Sequence, residues 1–243
     1  MKKNTLFASI YTIIIITITF SFNSNTNIPI GNEEIIKGLK DALNIGIENA
    51  VKSSSATDGF WKNSLIKLPF PEDAKKVKET ALKFKMNGQV EKFENTLNRA
   101  AEEASKEATP IFIKAIKNMS ISDGLAILNG GEGAATNHLQ NATTQELKTA
   151  FLPKVKSAIE KVELTKYWKP LIDKYNTVNR FTGGQNINPD LNAYVTDKAI
   201  SGLFKLIAIE ENKIRKDPAQ ALTGITNTGI ETVKSVFGSI LKK

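Results

Sequence analysis

Apolar residues recur at steps of three and four along most of this chain, and that spacing limits the folds open to it. The pattern is typical of amphipathic helices that turn one face toward a core. No stretch alternates apolar and polar residues over more than a few positions, as a half-buried strand does. The sequence therefore predicts an all-α protein, in which residues 33–243 form a single compact multi-helix domain of about nine or ten helices.

Two prolines interrupt the helical pattern early in the domain. Pro69 and Pro71 keep the apolar stretch over residues 60–71 out of the helical region, because the residue before a proline avoids it. We expect this stretch to lie across the helices as a strap. Its aromatic side chains could instead line a pocket, although aromatic residues more commonly pack in the core.

Later boundaries are predicted from caps, prolines and glycines. Thr143 and Glu146 fit a capping box, so a helix is expected to begin there, and Pro153 inside it predicts a kink or a break. Residues 176–188 show no periodicity and are expected to form the longest loop, before the longest helix. A final amphipathic helix is predicted from its apolar residues, which are Ile230, Val233, Val236, Phe237, Ile240 and Leu241.

The first 22 residues have the pattern of an export signal. Lys2 and Lys3 precede an apolar run from Leu6 to Phe22, as in a secretory leader. The run is short for a membrane span, yet an uncleaved anchor is an alternative. Residues 23–32 are polar and are expected to form a disordered spacer. The protein is thus predicted to be exported, to the periplasm or the cell envelope.

Composition excludes several kinds of site. The chain has no cysteine and one histidine, His138, which rules out disulfides, thiolate ligands and sites with two imidazoles. We expect His138 to pack against its helical neighbours, and we expect neither a metal nor a cofactor, since no calcium-loop motif is present. The formal net charge is +8, of which Lys2 and Lys3 contribute two. This balance favours anionic partners in general.

Several segments of the chain form a combination that can be compared with known families. The segments are Gly59-Phe60, Ile66-Lys-Leu-Pro69 and Pro71; Leu97-Asn-Arg-Ala-Ala-Glu102, Ala108 and Pro110-Ile-Phe112; Ala126-Ile-Leu128, Gly130 and Ala134-Ala-Thr136; Tyr194-Val-Thr-Asp-Lys-Ala199 and Gly202-Leu-Phe204; and Ile207-Ala208, Glu210-Glu211, Ile214-Arg215 and Asp217-Pro-Ala219. This combination resembles the exported bacterial family called domain of unknown function 4197, over about Ile35 to Phe237. The resemblance implies export and a helical domain, and it transfers no catalytic residue. Ser64 stands where a proline is expected in relatives.

Three glycines follow a short helical pattern near the middle of the chain. Gly130, Gly131 and Gly133 predict a turn that ends one helix and begins another, since glycine adopts positive φ readily. The exposed amides of the new helix could hold an anion. The alternative is a tight corner between two packed helices.

Glu211 lies within an apolar helical stripe. Arg215 follows one turn later and is the expected partner, because a carboxylate in such a stripe must pair or remain protonated. One interpretation is a buried structural ion pair. The other is a general acid that acts on a cell-wall glycan. The stripe is formed by Ile200, Leu203, Phe204, Ile207 and Ile214.

Basic residues are concentrated between residues 148 and 180. This segment contains eight Lys or Arg residues but only three acidic ones, Glu160, Glu163 and Asp173. Aromatic residues are interleaved with the basic ones. In an exported protein we expect lipid headgroups or anionic envelope polymers as partners, and no nucleic acid. The alternative is a solvated face whose lysine stems edge an apolar stripe. The lysines of this face are Lys154, Lys156, Lys161, Lys166, Lys169 and Lys174, of which Lys154, Lys161 and Lys169 are the principal candidates.

The absence of a recognisable set of catalytic residues favours binding over catalysis. Ser64 and Lys67 match a Ser-x-x-Lys motif, but the other elements of that chemistry are missing, so we interpret the match as chance. We interpret the chain as a non-catalytic envelope binding or interaction protein. One alternative is an envelope hydrolase that uses Glu211. Another is a structural or assembly partner that acts through the C-terminal amphipathic helix.

Overall fold

The computed structural model describes residues 31–183, 187 and 189–217, and it confirms the all-α fold. Within this part of the chain there is no strand, and a 3-10 turn at Glu72–Ala74 is the only other helical element. The helices are α1 (Asn32–Ser55), α2 (Lys75–Lys83), α3 (Asn87–Ser105), α4 (Ala108–Asn118), α5 (Ile121–Asn129), α6 (Ala134–Lys161), α7 (Leu164–Thr182) and α8 (Leu191–Lys216).

Helix α3 lies at the centre and packs against α1, α6, α7 and α8. Its buried face carries Leu97, Ala100, Ala101 and Ala104, each no more than 1% exposed. Alanine on a buried face allows neighbouring backbones to approach closely, because there is little side chain between them. The short side chains of α3 therefore explain how one helix can contact five others, these four and α2.

Helices α6 and α8 run antiparallel along one side of α3. Thr136, near the start of α6, contacts Glu211 near the end of α8. Further along α6, Lys148 pairs with Asp197, which lies near the start of α8. This arrangement brings the glycine turn before α6 next to the last turns of α8.

Aromatic side chains fill the core on both sides of α3. The Phe93 ring lies 4.9 Å from Phe70 and 5.0 Å from Trp168, between ring centroids. Phe112 and Phe204 meet edge to face at 5.6 Å. Tilted and edge-to-face pairs of this kind stabilise a core beyond the area they bury. Of the strap aromatics that were considered as pocket linings, Phe60 and Phe70 are therefore core residues, whereas Trp61 is half-buried.

The predicted strap is present and is anchored to α3. Phe60, Ile66, Leu68 and Phe70 are buried. The Asn98 side-chain oxygen accepts a hydrogen bond from the Leu68 amide at 2.7 Å, and its nitrogen donates to the Leu68 carbonyl at 2.9 Å. A side-chain amide thus satisfies both backbone groups of a buried non-helical residue, which would otherwise be costly to bury.

The predicted start of a helix at Thr143 is wrong. Helix α6 runs from Ala134 to Lys161 without interruption, and the Thr143 hydroxyl donates to the Leu139 carbonyl at 2.6 Å instead of capping. The break predicted at Pro153 is also wrong. Pro153 is exposed, while Phe151 and Val155 on either side are fully buried and hold both halves of the helix in the core.

Two further boundaries differ from expectation. Helix α7 continues to Thr182, so residues 176–182 of the predicted loop are helical. Helix α6 has 28 residues against 26 in α8, so α8 is not the longest helix. Helix α1 begins at Asn32, the last residue of the predicted spacer.

The export signal and the final amphipathic helix lie outside the described residues. Among the helices described above, none combines the length and apolarity needed to cross a membrane.

Candidate functional site

The glycine turn before α6 exposes the first amides of that helix to the end of α8. Gly131 and Gly133 have φ of 73° and 78°, which glycine adopts at little cost. A Cβ at Gly130 would lie 2.7 Å from the Ala134 Cβ and 2.8 Å from the Ala126 carbonyl oxygen. The chain therefore turns tightly here and begins α6 beside α8.

Glu211 binds the N-terminus of α6 through both of its oxygens. Its Oε1 accepts from the Ala135 amide at 3.1 Å, and its Oε2 accepts from the Thr136 amide at 2.9 Å and the Thr136 hydroxyl at 2.7 Å. A carboxylate is favoured at this position because the first amides of a helix lack partners within the helix.

The predicted ion pair between Glu211 and Arg215 is present. Arg215 Nε lies 2.9 Å from Glu211 Oε1, and Nη2 donates to the Ile127 carbonyl at the end of α5, also at 2.9 Å. Glu211 is only 4% exposed, so the charge is buried together with its donors. One carboxylate and one guanidinium thus tie α5, α6 and α8 together.

Little space remains beside Glu211. The adjoining cavity has a volume of about 10 Å³, which is at the lower limit for one water molecule. The amides for which an external anion was predicted, after Gly130, Gly131 and Gly133, already hold the chain's own carboxylate. A sugar ring cannot approach Glu211 without unpacking α1, α5 and α8.

Sequence reasoning missed a second buried glutamate, Glu102 on α3, which is 4% exposed. Its Oε1 accepts from the amides of Phe60 and Trp61 at 3.1 and 3.2 Å, and its Oε2 accepts from Arg99 at 2.7 Å. Arg99 also pairs with Asp58, and hydrogen bonds from Lys62 and Arg99 lower the pKa of Asp58. The position of Glu102 among the alanines of α3 was the signal that could have identified it.

Acidic side chains neutralise much of the positive charge of the lysine face. Lys154 pairs with Glu107, the N-cap of α4, at 3.4 Å, and Lys161 pairs with Glu103 in the last turn of α3 at 2.5 Å. Hydrogen bonds from Lys106 and Lys161 lower the pKa of Glu103. These two glutamates are distant in sequence, so the local excess of positive charge overstated the charge of the surface.

The remaining lysines of this face have different surroundings. Lys166 pairs with Glu163 at 3.0 Å, and Lys169 pairs with Asp173 at 2.7 Å. The Lys174 ammonium lies 3.8 Å from the centroid of the Phe84 ring. Lys156 is exposed on α6. Surface pairs of this kind contribute little to stability, so the ammonium groups stay available for exchange with another anion.

Open grooves on the described surface include one between α6 and α8, one between α2 and α7, and one beside the strap. The groove between α6 and α8 measures about 400 Å³, and its aromatic residue, Phe204, is buried in its floor. The groove between α2 and α7 measures about 840 Å³, and half of its lining residues are charged. The third, of about 420 Å³, lies between the strap, α3 and α7, and two half-buried aromatic residues line it, Trp61 and Tyr167.

The minor candidates do not assemble into sites. The Lys67 ammonium lies 3.5 Å from the centroid of the Trp61 ring, while Ser64 is exposed on the strap. His138 is half-buried beside Ala135 and Leu139 on α6. No cluster of three or more histidine, aspartate or glutamate side chains suited to a metal occurs in the part of the chain described here.

Comparison with known proteins gives one match. The family model described as a protein of unknown function, DUF4197, matches residues 29–238, which is most of the chain. No curated protein and no solved structure matches the chain.

Proposed function

The chain belongs to the DUF4197 family, and from this premise we propose that it is an exported, non-catalytic protein that binds a component of the cell envelope. The observation that carries the proposal is the geometry of Glu211. Both of its oxygens are occupied by amides, a hydroxyl and a guanidinium. A general acid must reach the substrate atom that it protonates, and a carboxylate enclosed in this way has no path to it.

The leader supports the envelope as the place of action. Lys2 and Lys3 followed by the apolar run to Phe22 form the pattern of a secretory signal. Export brings a protein into contact with lipid headgroups, envelope polymers and wall glycans. The open groove beside Trp61 and Tyr167 offers aromatic and polar groups to such a ligand.

Co-sedimentation of the purified full chain tests this function. The chain is incubated with insoluble cell-wall glycan and, separately, with vesicles of anionic lipid, and release of reducing sugar is measured in the same samples. We expect the protein to sediment with envelope material and to release no sugar. Sugar release that Glu211→Gln abolishes without loss of stability would establish the hydrolase instead. Failure to sediment with either material at low salt would refute the proposal.

A further inference from the structure

We propose that the groove between the strap, α3 and α7 binds an uncharged saccharide chain, an inference that rests on the proposed envelope function. The groove is lined by aromatic, polar and charged side chains that converge on one open volume of about 420 Å³. The lining residues are Trp61, Gly88, Glu91, Lys92, Asn95, Thr96 and Tyr167.

The two aromatic residues are fixed by the surrounding structure. The Trp61 amide donates to the buried Glu102 carboxylate, and Lys67 lies against the Trp61 ring. Tyr167 precedes Trp168, which is buried in the core against Phe93. Both rings are half-buried, so each is held by packing while part of its surface faces the groove. Rings ordered before binding lose little conformational freedom when a ligand stacks on them.

The polar lining is suited to hydroxyl and amide groups. Glu91, Lys92 and Asn95 supply carboxylate, ammonium and carboxamide groups within one turn of α3. Such groups can donate to and accept from a polyhydroxylated ligand. Amphipathic aromatic rings beside them suit a ligand that has both apolar C–H faces and hydroxyl edges. A sugar ring has both.

Charge and shape distinguish this ligand from an anionic polymer. The lining contains one acidic and one basic side chain, Glu91 and Lys92, and the Lys67 ammonium lies against the Trp61 ring. These three residues leave one excess positive charge, which is little to hold a polyanion. The Thr96 hydroxyl is directed at its own helix, where it donates to the Lys92 carbonyl at 2.7 Å. The groove is open to solvent, so a ligand bound there can continue beyond it as part of a longer chain.

Gly88 provides a way to block the groove without disturbing the fold. A Cβ built at Gly88 has no atom within 4 Å, and the same is true of Gly31 at the start of α1. Isoleucine is bulky and stiff in a helix, so Gly88→Ile places a rigid side chain at the groove. Gly31→Ile is the matched control, with the same substitution at an open position that does not line the groove.

The experiment is calorimetric titration of the full chain with a soluble oligosaccharide of N-acetylglucosamine. We expect saturable binding that is weakened about tenfold or more by Gly88→Ile and by Tyr167→Ala, and kept by Gly31→Ile. Tyr167→Phe should restore most of the affinity if stacking is the contribution of the ring. The chain has two tryptophans, and Trp168 is buried, so a change in tryptophan emission on binding should disappear in Trp61→Phe.

The results separate this inference from the proposed function. If Gly88→Ile binds the oligosaccharide as the unchanged chain does, the groove is not the site and the inference is wrong. If no oligosaccharide binds while the chain still sediments with anionic vesicles, the saccharide inference is wrong and the envelope function stands. Unchanged sedimentation with wall glycan after Gly88→Ile would likewise place binding elsewhere.

Discussion

Thr136 donates both its amide and its hydroxyl to the Glu211 carboxylate, although 75 positions separate the two residues in the chain. The contact joins the first turn of α6 to the last turns of α8. Arg215 completes it and extends it to the Ile127 carbonyl at the end of α5. Three helix ends thus meet at one buried carboxylate. That position buries Glu211 and occupies both of its oxygens, which supports a structural role.

The first prediction is that Glu211→Gln destabilises the fold. The side-chain amide nitrogen of glutamine cannot accept a hydrogen bond, yet it would face donors that now bind a carboxylate oxygen. The buried donors on that side would lose their acceptor, which costs about 1–3 kcal/mol of folding free energy. Urea unfolding followed by circular dichroism measures this loss. Glu132→Gln, in the exposed part of the same turn, is the control and should change the free energy of unfolding by less than about 0.5 kcal/mol. Equal effects of the two substitutions would contradict the structural role.

Half of the Glu211 site could be predicted from the sequence. A carboxylate inside an apolar stripe needs a partner, and Arg215 one turn away is the local solution. The amides of Ala135 and Thr136 could not be predicted, because nothing near Glu211 indicates which distant helix begins beside it. Likewise, the sequence did not indicate acidic partners for Lys154 and Lys161, because Glu107 and Glu103 are distant in sequence and pair with them only in the folded chain.

The helices of the fold, too, could be predicted from local sequence only in part, because packing against distant residues decides some of their boundaries. The period of the apolar residues identified the helices, but the capping motif at Thr143 was overridden. Ala135, Leu139, Thr143 and Leu147 continue one buried stripe at steps of four, and burial of that stripe outweighs a cap in the middle of it. A continuous apolar stripe was therefore the better guide to α6 than a motif common by chance.

The second prediction concerns the anchor of the strap. Asn98→Ala leaves the buried amide and carbonyl of Leu68 without their partners, which costs about 1–3 kcal/mol for each group. We expect lower stability in urea and faster hydrogen exchange at the Leu68 amide. Asn137→Ala is the matched control, because Asn137 is exposed on α6. Unchanged protection at Leu68 would show that burial alone holds the strap.

The third prediction is a dependence of stability on high pH through Tyr194. Its hydroxyl donates to the Pro69 carbonyl at 2.8 Å, and burial, with Glu72 and Glu94 nearby, raises the pKa of Tyr194 to about 12 from 10.0. A group whose pKa is raised by folding contributes stability that is complete below its unfolded pKa and is lost as pH rises through the folded pKa. The contribution of Tyr194 should therefore fall between pH 10 and about 12.

Comparison with Tyr194→Phe isolates this effect from the titration of lysines and other tyrosines. The urea midpoint of the unchanged chain should decline more steeply than that of the variant over the same pH range. Parallel declines would show that Tyr194 titrates alike in the folded and unfolded states. Absorbance of tyrosinate at high pH gives an independent measure, since Tyr194 should ionise at a higher pH in the folded chain than in the unfolded chain.

The fourth prediction is export. Residues 1–32, joined to a reporter that is active only outside the cytoplasm, should give active reporter. Replacing Lys2 and Lys3 by glutamate removes the positive region of the leader and should reduce export. A reporter that remains in the cytoplasm would refute both the predicted localisation and the envelope function that depends on it.

The last prediction addresses the lysine face, for which an anionic envelope partner stays a prediction. Lys154 and Lys161 are each more than half exposed while they pair with Glu107 and Glu103. Exposed pairs are weak, so Glu103→Gln with Glu107→Gln should release both ammonium groups without unfolding the protein. Near an anionic membrane each released lysine adds about 1 kcal/mol. If this face contacts such a surface, the double variant should bind anionic vesicles more tightly, and salt should reduce the gain.

The control for this experiment must change net charge by the same amount at a distant position. Glu33→Gln with Glu34→Gln meets that requirement, because both residues are exposed in the first turn of α1. A gain confined to Glu103 and Glu107 would locate the contact on the lysine face. Equal gains in the two double variants would mean that vesicles respond to overall charge, and no gain in either would refute an anionic partner for Lys154 and Lys161.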